Sequence, residues 1–201
     1  MGQHRRIIHD VAADFCHRIA TFFLVFATFF VTLSLAVPVR AQDGADLGAL
    51  FGRLAEPDGE GWRIAESDIL REWSKSGSPA MDLLLQRAEE ALDQGDTATA
   101  IGHLTALTDH APDFAAGFYN RGLAYAAAGQ FGPALQDLAR ALQLEPRHFA
   151  ALTQLAAMLE ETGATDQALK VYRQSLAIHP HQQEAIDAVA RLERQQGGTD
   201  I

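Results

Sequence analysis

Glycine, alanine and proline recur together every 34 residues in this chain. Gly95, Gly129 and Gly163 form one series, Ala100, Ala134 and Ala168 a second, and Pro112, Pro146 and Pro180 a third. Three residue types holding one period through three cycles define a repeat architecture, in which each unit leaves an apolar face that only its neighbour can cover. Within the middle cycle the apolar spacing is helical. Phe118, Gly122 and Tyr125 or Ala126 mark one face of a first helix, and Ala134, Leu138, Ala141 and Leu142 mark a second. Gly129 falls where the first helix must stop, because a residue in the left-handed region closes a helix end without steric cost only when it lacks a Cβ. Pro133 falls in the first turn of the second helix, where the missing N–H has no intrahelical partner to lose. The period therefore predicts an all-α helix-turn-helix solenoid with repeats over 81–114, 115–148 and 149–182.

Both flanks also read as helical. Ile186, Val189 and Leu192 form one stripe, with Glu184, Asp187, Arg191 and Glu193 facing away, which predicts a capping helix over 183–196 and a tail over 197–201. Before the array, Leu47, Leu50, Phe51 and Leu54 predict a short helix, and Trp62, Ala65, Ile69 and Trp73 predict another, giving a helical hairpin within 42–79. Gly61 lies one period before Gly95, so a degenerate repeat is one reading of this hairpin. Ser78-Pro79 then supplies an N-cap and a first-turn proline for the first clear repeat.

The middle repeat, Phe118-x-x-Arg121-Gly122-x-x-Tyr125 followed by Ala134-x-x-x-Leu138 and Pro146, resembles the tetratricopeptide repeat (TPR), whose pattern is W-x-x-L-G-x-x-Y, A-x-x-x-F, P over 34 residues. Arg121 stands where that pattern has leucine, and Ala88 and Ala156 stand where the middle repeat has Gly122. The resemblance implies a right-handed superhelix whose first helices line a concave, protein-binding groove. Carried over position by position, the groove takes Asp82, Leu85, Glu89, Leu92 and Asp93 from the first repeat and Ala116, Tyr119, Asn120, Leu123 and Ala127 from the second. The third supplies Ala150, Thr153, Gln154, Ala157, Glu160 and Glu161. Members that grip a C-terminal carboxylate use lysine, arginine and asparagine there. Here only Asn120 matches, with Leu85 and Glu89 at donor positions, so the implied partner is a basic or amphipathic protein segment. The competing reading is that Tyr119 and Leu123 only pack against neighbouring helices.

The first 41 residues read as a targeting segment. Arg5, Arg6 and Arg18 precede an uncharged apolar run over residues 19–37, and Pro38 and Ala41 close it as a signal-peptidase site would require. The run is long enough to raise retention as a membrane anchor as the alternative to cleavage after Ala41. Either way the positive-inside rule directs the rest of the chain outward, so an adaptor in a bacterial periplasm is expected, or one held at the inner membrane as an assembly factor or envelope-complex subunit.

Charge narrows the partner further. Four of the 16 basic and two of the 26 acidic residues fall in the leader, leaving a net of −12 beyond it. Such a surface repels phosphate backbones and anionic headgroups, which excludes nucleic acid and leaves the anchor as the sole route to a membrane; it also serves solubility. The single cysteine, Cys16, is in the leader, so packing and not disulfides must hold the fold. No nucleophile elbow, H-E-x-x-H pair or phosphate-cradling glycine loop occurs, which predicts no catalysis and no cofactor. His110, His148, His179 and His181 cluster near the repeat turns, and His179-Pro180-His181 suggests a metal only weakly: no cysteine assists, so they read as solvated loop residues.

Overall fold

The computed structural model describes residues 46–56 and 59–197. The leader, its apolar run and the tail residues 198–201 lie outside them. Nine α-helices and no strand occur among the described residues: α1 Leu47–Leu54, α2 Gly61–Trp73, α3 Pro79–Asp93, α4 Thr97–His110, α5 Ala115–Ala127, α6 Phe131–Leu144, α7 Phe149–Glu161, α8 Thr165–Ile178 and α9 Gln183–Gly197. The pairs α3/α4, α5/α6 and α7/α8 each occupy one 34-residue period.

The periodic residues perform the same task in each cycle. Gly95, Gly129 and Gly163 have φ of 74°, 72° and 80°. Each is followed by a residue whose N–H reaches back five positions: Asp96 to Ala91 O at 2.8 Å, Gln130 to Tyr125 O at 2.8 Å and Ala164 to Leu159 O at 2.9 Å. This is the helix-end geometry that a left-handed residue allows. Ala100, Ala134 and Ala168 are all fully buried. Pro112, Pro146 and Pro180 sit in the exposed turns after the second helices. At the head of the array Ser78 takes the N-cap position, but its side chain makes no capping bond. Asp82 reaches back instead, accepting from Ser76 N at 2.8 Å and Ser76 Oγ at 2.5 Å.

Packing runs from one repeat into the next. Leu85, Ala88, Ala100, Leu104 and Leu107 of the first pair share a cluster with Ala116 and Ala124 of α5. Ala134 and Leu138 of α6 join Ala151 and Met158 of α7. Ala156 of α7 and Ala168, Leu169 and Tyr172 of α8 are closed off by Ala185, Ala188 and Leu192 of α9. The buried stripe of α9 is thus turned by one residue from the expected Ile186–Val189–Leu192, and Ile186 is 37% exposed. Small side chains let α9 approach α8 closely, and the branched isoleucine is left on the flank.

Gly122 permits a close approach of α5 and α6: a Cβ there would lie 3.2 Å from Leu138 Cγ and 3.3 Å from Ala134 O. Beside it, Arg121 replaces the apolar residue of the repeat pattern with a polar bolt. Its Nε and Nη2 donate to the two carboxylate oxygens of Asp137 at 2.7 and 2.8 Å, and Nη1 donates to Thr108 Oγ1 at 2.7 Å. Thr108 Oγ1 in turn donates to Leu104 O. Helices α4, α5 and α6 are pinned through one guanidinium.

Two substitutions check this packing by thermal or denaturant unfolding. Ala134→Leu, an overpacking change at a closed helix contact, lowers stability by about 1–3 kcal/mol. Asp137→Ala strands the Arg121 charge and lowers it by about 3–5 kcal/mol, whereas the paired change Arg121→Leu with Asp137→Leu is near neutral or stabilising.

Candidate functional site

The residues that the repeat pattern assigns to a groove separate into three environments. Leu85 is 3% exposed and belongs to the first-repeat core, because Ala116 of α5 is small enough to let it bury. Thr153 is likewise buried, with Oγ1 at 2.9 Å from Ser175 Oγ and donating to Gln182 Oε1 at 2.8 Å. Both are correctly placed on first helices, but neither presents its side chain to a ligand. Asn120 spends its amide on its own helix, Nδ2 to Ala116 O at 2.9 Å. Glu160 is held by Arg191 and Tyr172.

Leu123 and Gln154 come together. They line an open depression of about 370 Å³ between α5 and α7, with Ala126, Ala127, Ala157, Met158 and Glu161 and with Phe131 at its rim. The walls are alanine and methionine methyls with one amide and one carboxylate, a surface suited to an apolar side chain flanked by a positive charge. Glu89 on α3 has its pKa pushed up, first by partial burial of its carboxyl and second by the Asp93 carboxylate beside it.

Tyr119 lies under a different structure. The hairpin of α1 and α2 buries Leu50, Leu54, Ala65 and Ile69 together with Phe149, the first residue of α7, and Ala150 and Ile178 pack on the same cluster. No residue of α3 or α4 belongs to it, although α3 follows the hairpin directly in the chain. Trp73 stacks on His148 at 4.4 Å between centroids, and Tyr119 meets His148 at 4.5 Å. Trp62 stacks on His181 at 4.6 Å, and His181 Nε2 is 2.8 Å from Glu56 O. Glu66 lies 3.2 Å from His179 Nε2.

The solvated reading of the histidines therefore fails at two of them. His148 is 2% exposed and His179 1%. His148 Nδ1 accepts the N–H of Ala151 at 3.2 Å and caps α7, so the ring proton resides on Nε2. The sequence signal for this seat is the tryptophan pair: two indoles on one stripe of the hairpin need ring partners, which the later turns supply as His148, Phe149, His179 and His181. Among the described residues no group of three or more histidine, cysteine or acidic side chains is placed to hold a metal.

Burial drives the His148 pKa down to about 4. A histidine kept neutral in the native state and near 6.5 when unfolded contributes stability above pH 6.5 that is lost as pH falls toward 4. At pH 4.5 that loss is about 2.5 kcal/mol for His148. His148→Asn, which keeps a capping acceptor, removes this part of the acid sensitivity, as urea unfolding of the two proteins between pH 7 and 4.5 will measure.

Comparison with known proteins agrees with the geometry. Two family models, both described as tetratricopeptide repeat, match residues 85–142 and 125–192. A TPR repeat-containing protein of Rhizobium etli is 30% identical over 153 residues, covering 76% of this chain and 75% of the relative. Among solved structures, the first TPR of Spaghetti (RPAP3), bound to an HSP90 peptide, superposes with a TM-score of 0.57 at 22% identity over 60% of this chain and 98% of that domain. The TPR2B domain of yeast Sti1, in complex with an Hsp70 peptide, gives 0.55 at 19% identity over 59% and 99%. The chain belongs to the tetratricopeptide repeat family, whose repeats typically mediate protein–protein interaction.

Proposed function

We propose that this protein is an exported adaptor that holds a segment of another protein on the concave face of its repeats, in the bacterial cell envelope. The observation that carries the reading is the open depression between α5 and α7, where Leu123, Ala126, Ala127, Gln154, Ala157, Met158 and Glu161 converge. It lies on first helices, which the repeat pattern assigns to the groove. Its mixture of methyl groups and one carboxylate favours a basic, amphipathic segment over an acidic chaperone tail. Glu89 and Asp93 on α3 and the net charge of −12 beyond the leader add long-range attraction for such a partner.

The envelope address rests on Arg5, Arg6, Arg18 and the apolar run over 19–37. Release after Ala41 gives a periplasmic protein; retention of the run gives one tethered to the inner membrane. N-terminal sequencing of protein recovered from a fractionated envelope distinguishes them, a mature start at Gln42 being the expected result.

Capture itself is tested with a photocrosslinking residue at Gln154 in the full chain, expressed in its own host. Leu123→Arg places a positive charge in the depression and is expected to cut recovery of the crosslinked partner at least about tenfold, the size of a buried interface anchor, with far-UV helicity unchanged. Equal recovery from both proteins would remove the depression from the reading.

A further inference from the structure

One side of α2 carries Trp62, Ala65, Ile69 and Trp73, at spacings of three, four and four, with Glu66 beside Ala65, a single stripe about 16 Å long. Every member of the stripe meets a residue of the later repeats or of its own hairpin core. Trp62 lies on His181 and 5.6 Å from His179, Glu66 pairs with His179, Ala65 and Ile69 share a cluster with Phe149, and Trp73 lies on His148 and Phe149. Ala150 packs on that cluster, and Tyr119 backs His148. Both are positions that the repeat pattern places on the concave face. A helix laid in this way spans the junction of the second and third repeats at His148 and Phe149 and the end of the third at His179 and His181, beside two of the groove positions.

The hairpin is also separable. The three clusters of the stack close without any residue from α1 or α2. Residues 74–78 join the hairpin to α3 through Gly77, whose φ of 81° marks a tight turn and not a continuous helix. The docked state leaves the Trp73 Nε1 proton buried without an acceptor, a cost that undocking removes.

We infer that α2 is the resident occupant of a helix-binding seat on the concave face, and that the seat's external partner is an amphipathic helix with aromatic residues eleven apart and a carboxylate facing His179. Such a helix binds by displacing the hairpin. The inference rests on the reading of the concave face as a capture surface and adds what that surface recognises and what guards it.

The test uses the full chain and a fluorophore-labelled peptide of residues 46–76 as the probe. Weakening the resident with Trp62→Ala and Trp73→Ala frees the seat, and peptide affinity by anisotropy is expected to rise at least about tenfold over the unaltered chain, because apparent affinity scales with the fraction of open seat. Adding Phe149→Ala to that background abolishes the gain. Leu123→Arg in the same background leaves it intact, so failure of the seat and failure of the open depression are read separately. No gain in a double variant that keeps its helicity, or a gain indifferent to Phe149→Ala, overturns the inference. Should the double variant not fold, amide exchange of the unaltered chain decides: α1 and α2 opening together well before α5–α8 supports a displaceable hairpin, and exchange of all helices in one global step refutes it.

Discussion

A pair of helices from this chain cannot cover its own apolar side, and everything else in the structure follows from that shortfall. Each of the three clusters of the stack draws on both helices of one repeat and the first helix of the next, as Leu104 and Leu107 do with Ala116 and Ala124, or Tyr172 with Ala185 and Leu192. Stability therefore resides in the junctions between units and less in the units themselves. The last junction needs a helix that is apolar on one side only, and α9 supplies it with alanines buried and Glu184, Asp187 and Glu193 outside.

The repeats were legible because their key residues act locally. A glycine that must adopt positive φ, an alanine that must fit between two helices and a proline that must follow a helix end each announce themselves within one 34-residue unit. The groove was less so. Leu85 and Thr153 occupy positions that the family pattern exposes, yet their burial depends on what stands opposite: the small side chain of Ala116 in one case, the Ser175 and Gln182 hydrogen-bonding pair in the other. Arg121 looked like a departure from the pattern at a packing position. Its partner, Asp137, lies on another helix with no spacing to announce it, and the pair satisfies at close range what leucine would have satisfied by burial.

Least legible was the hairpin seat, because it joins parts of the chain far apart in sequence. Glu56 and His181 meet across 125 residues. His148 and His179 look like ordinary turn histidines until Trp73 and Trp62 are laid over them, after which burial pushes the pKa of both rings down, against the pull of Glu66 at His179. The positions that the repeat pattern assigns to the groove consequently divide between two surfaces: an open one around Leu123 and Gln154, and an aromatic one where Tyr119 joins His148 and Phe149, already in use.

A stack of units that touch only their nearest neighbours deforms like a spring, since a small tilt at each junction adds to the next. The hairpin is joined to the first repeat and packs on Phe149, His179 and His181 of the third, a chord between two units that are not neighbours in the stack. With that chord in place the tilts cannot accumulate, and the pitch of the superhelix is set by one aromatic clasp as well as by its serial joints. Unfastening it returns the coil its compliance.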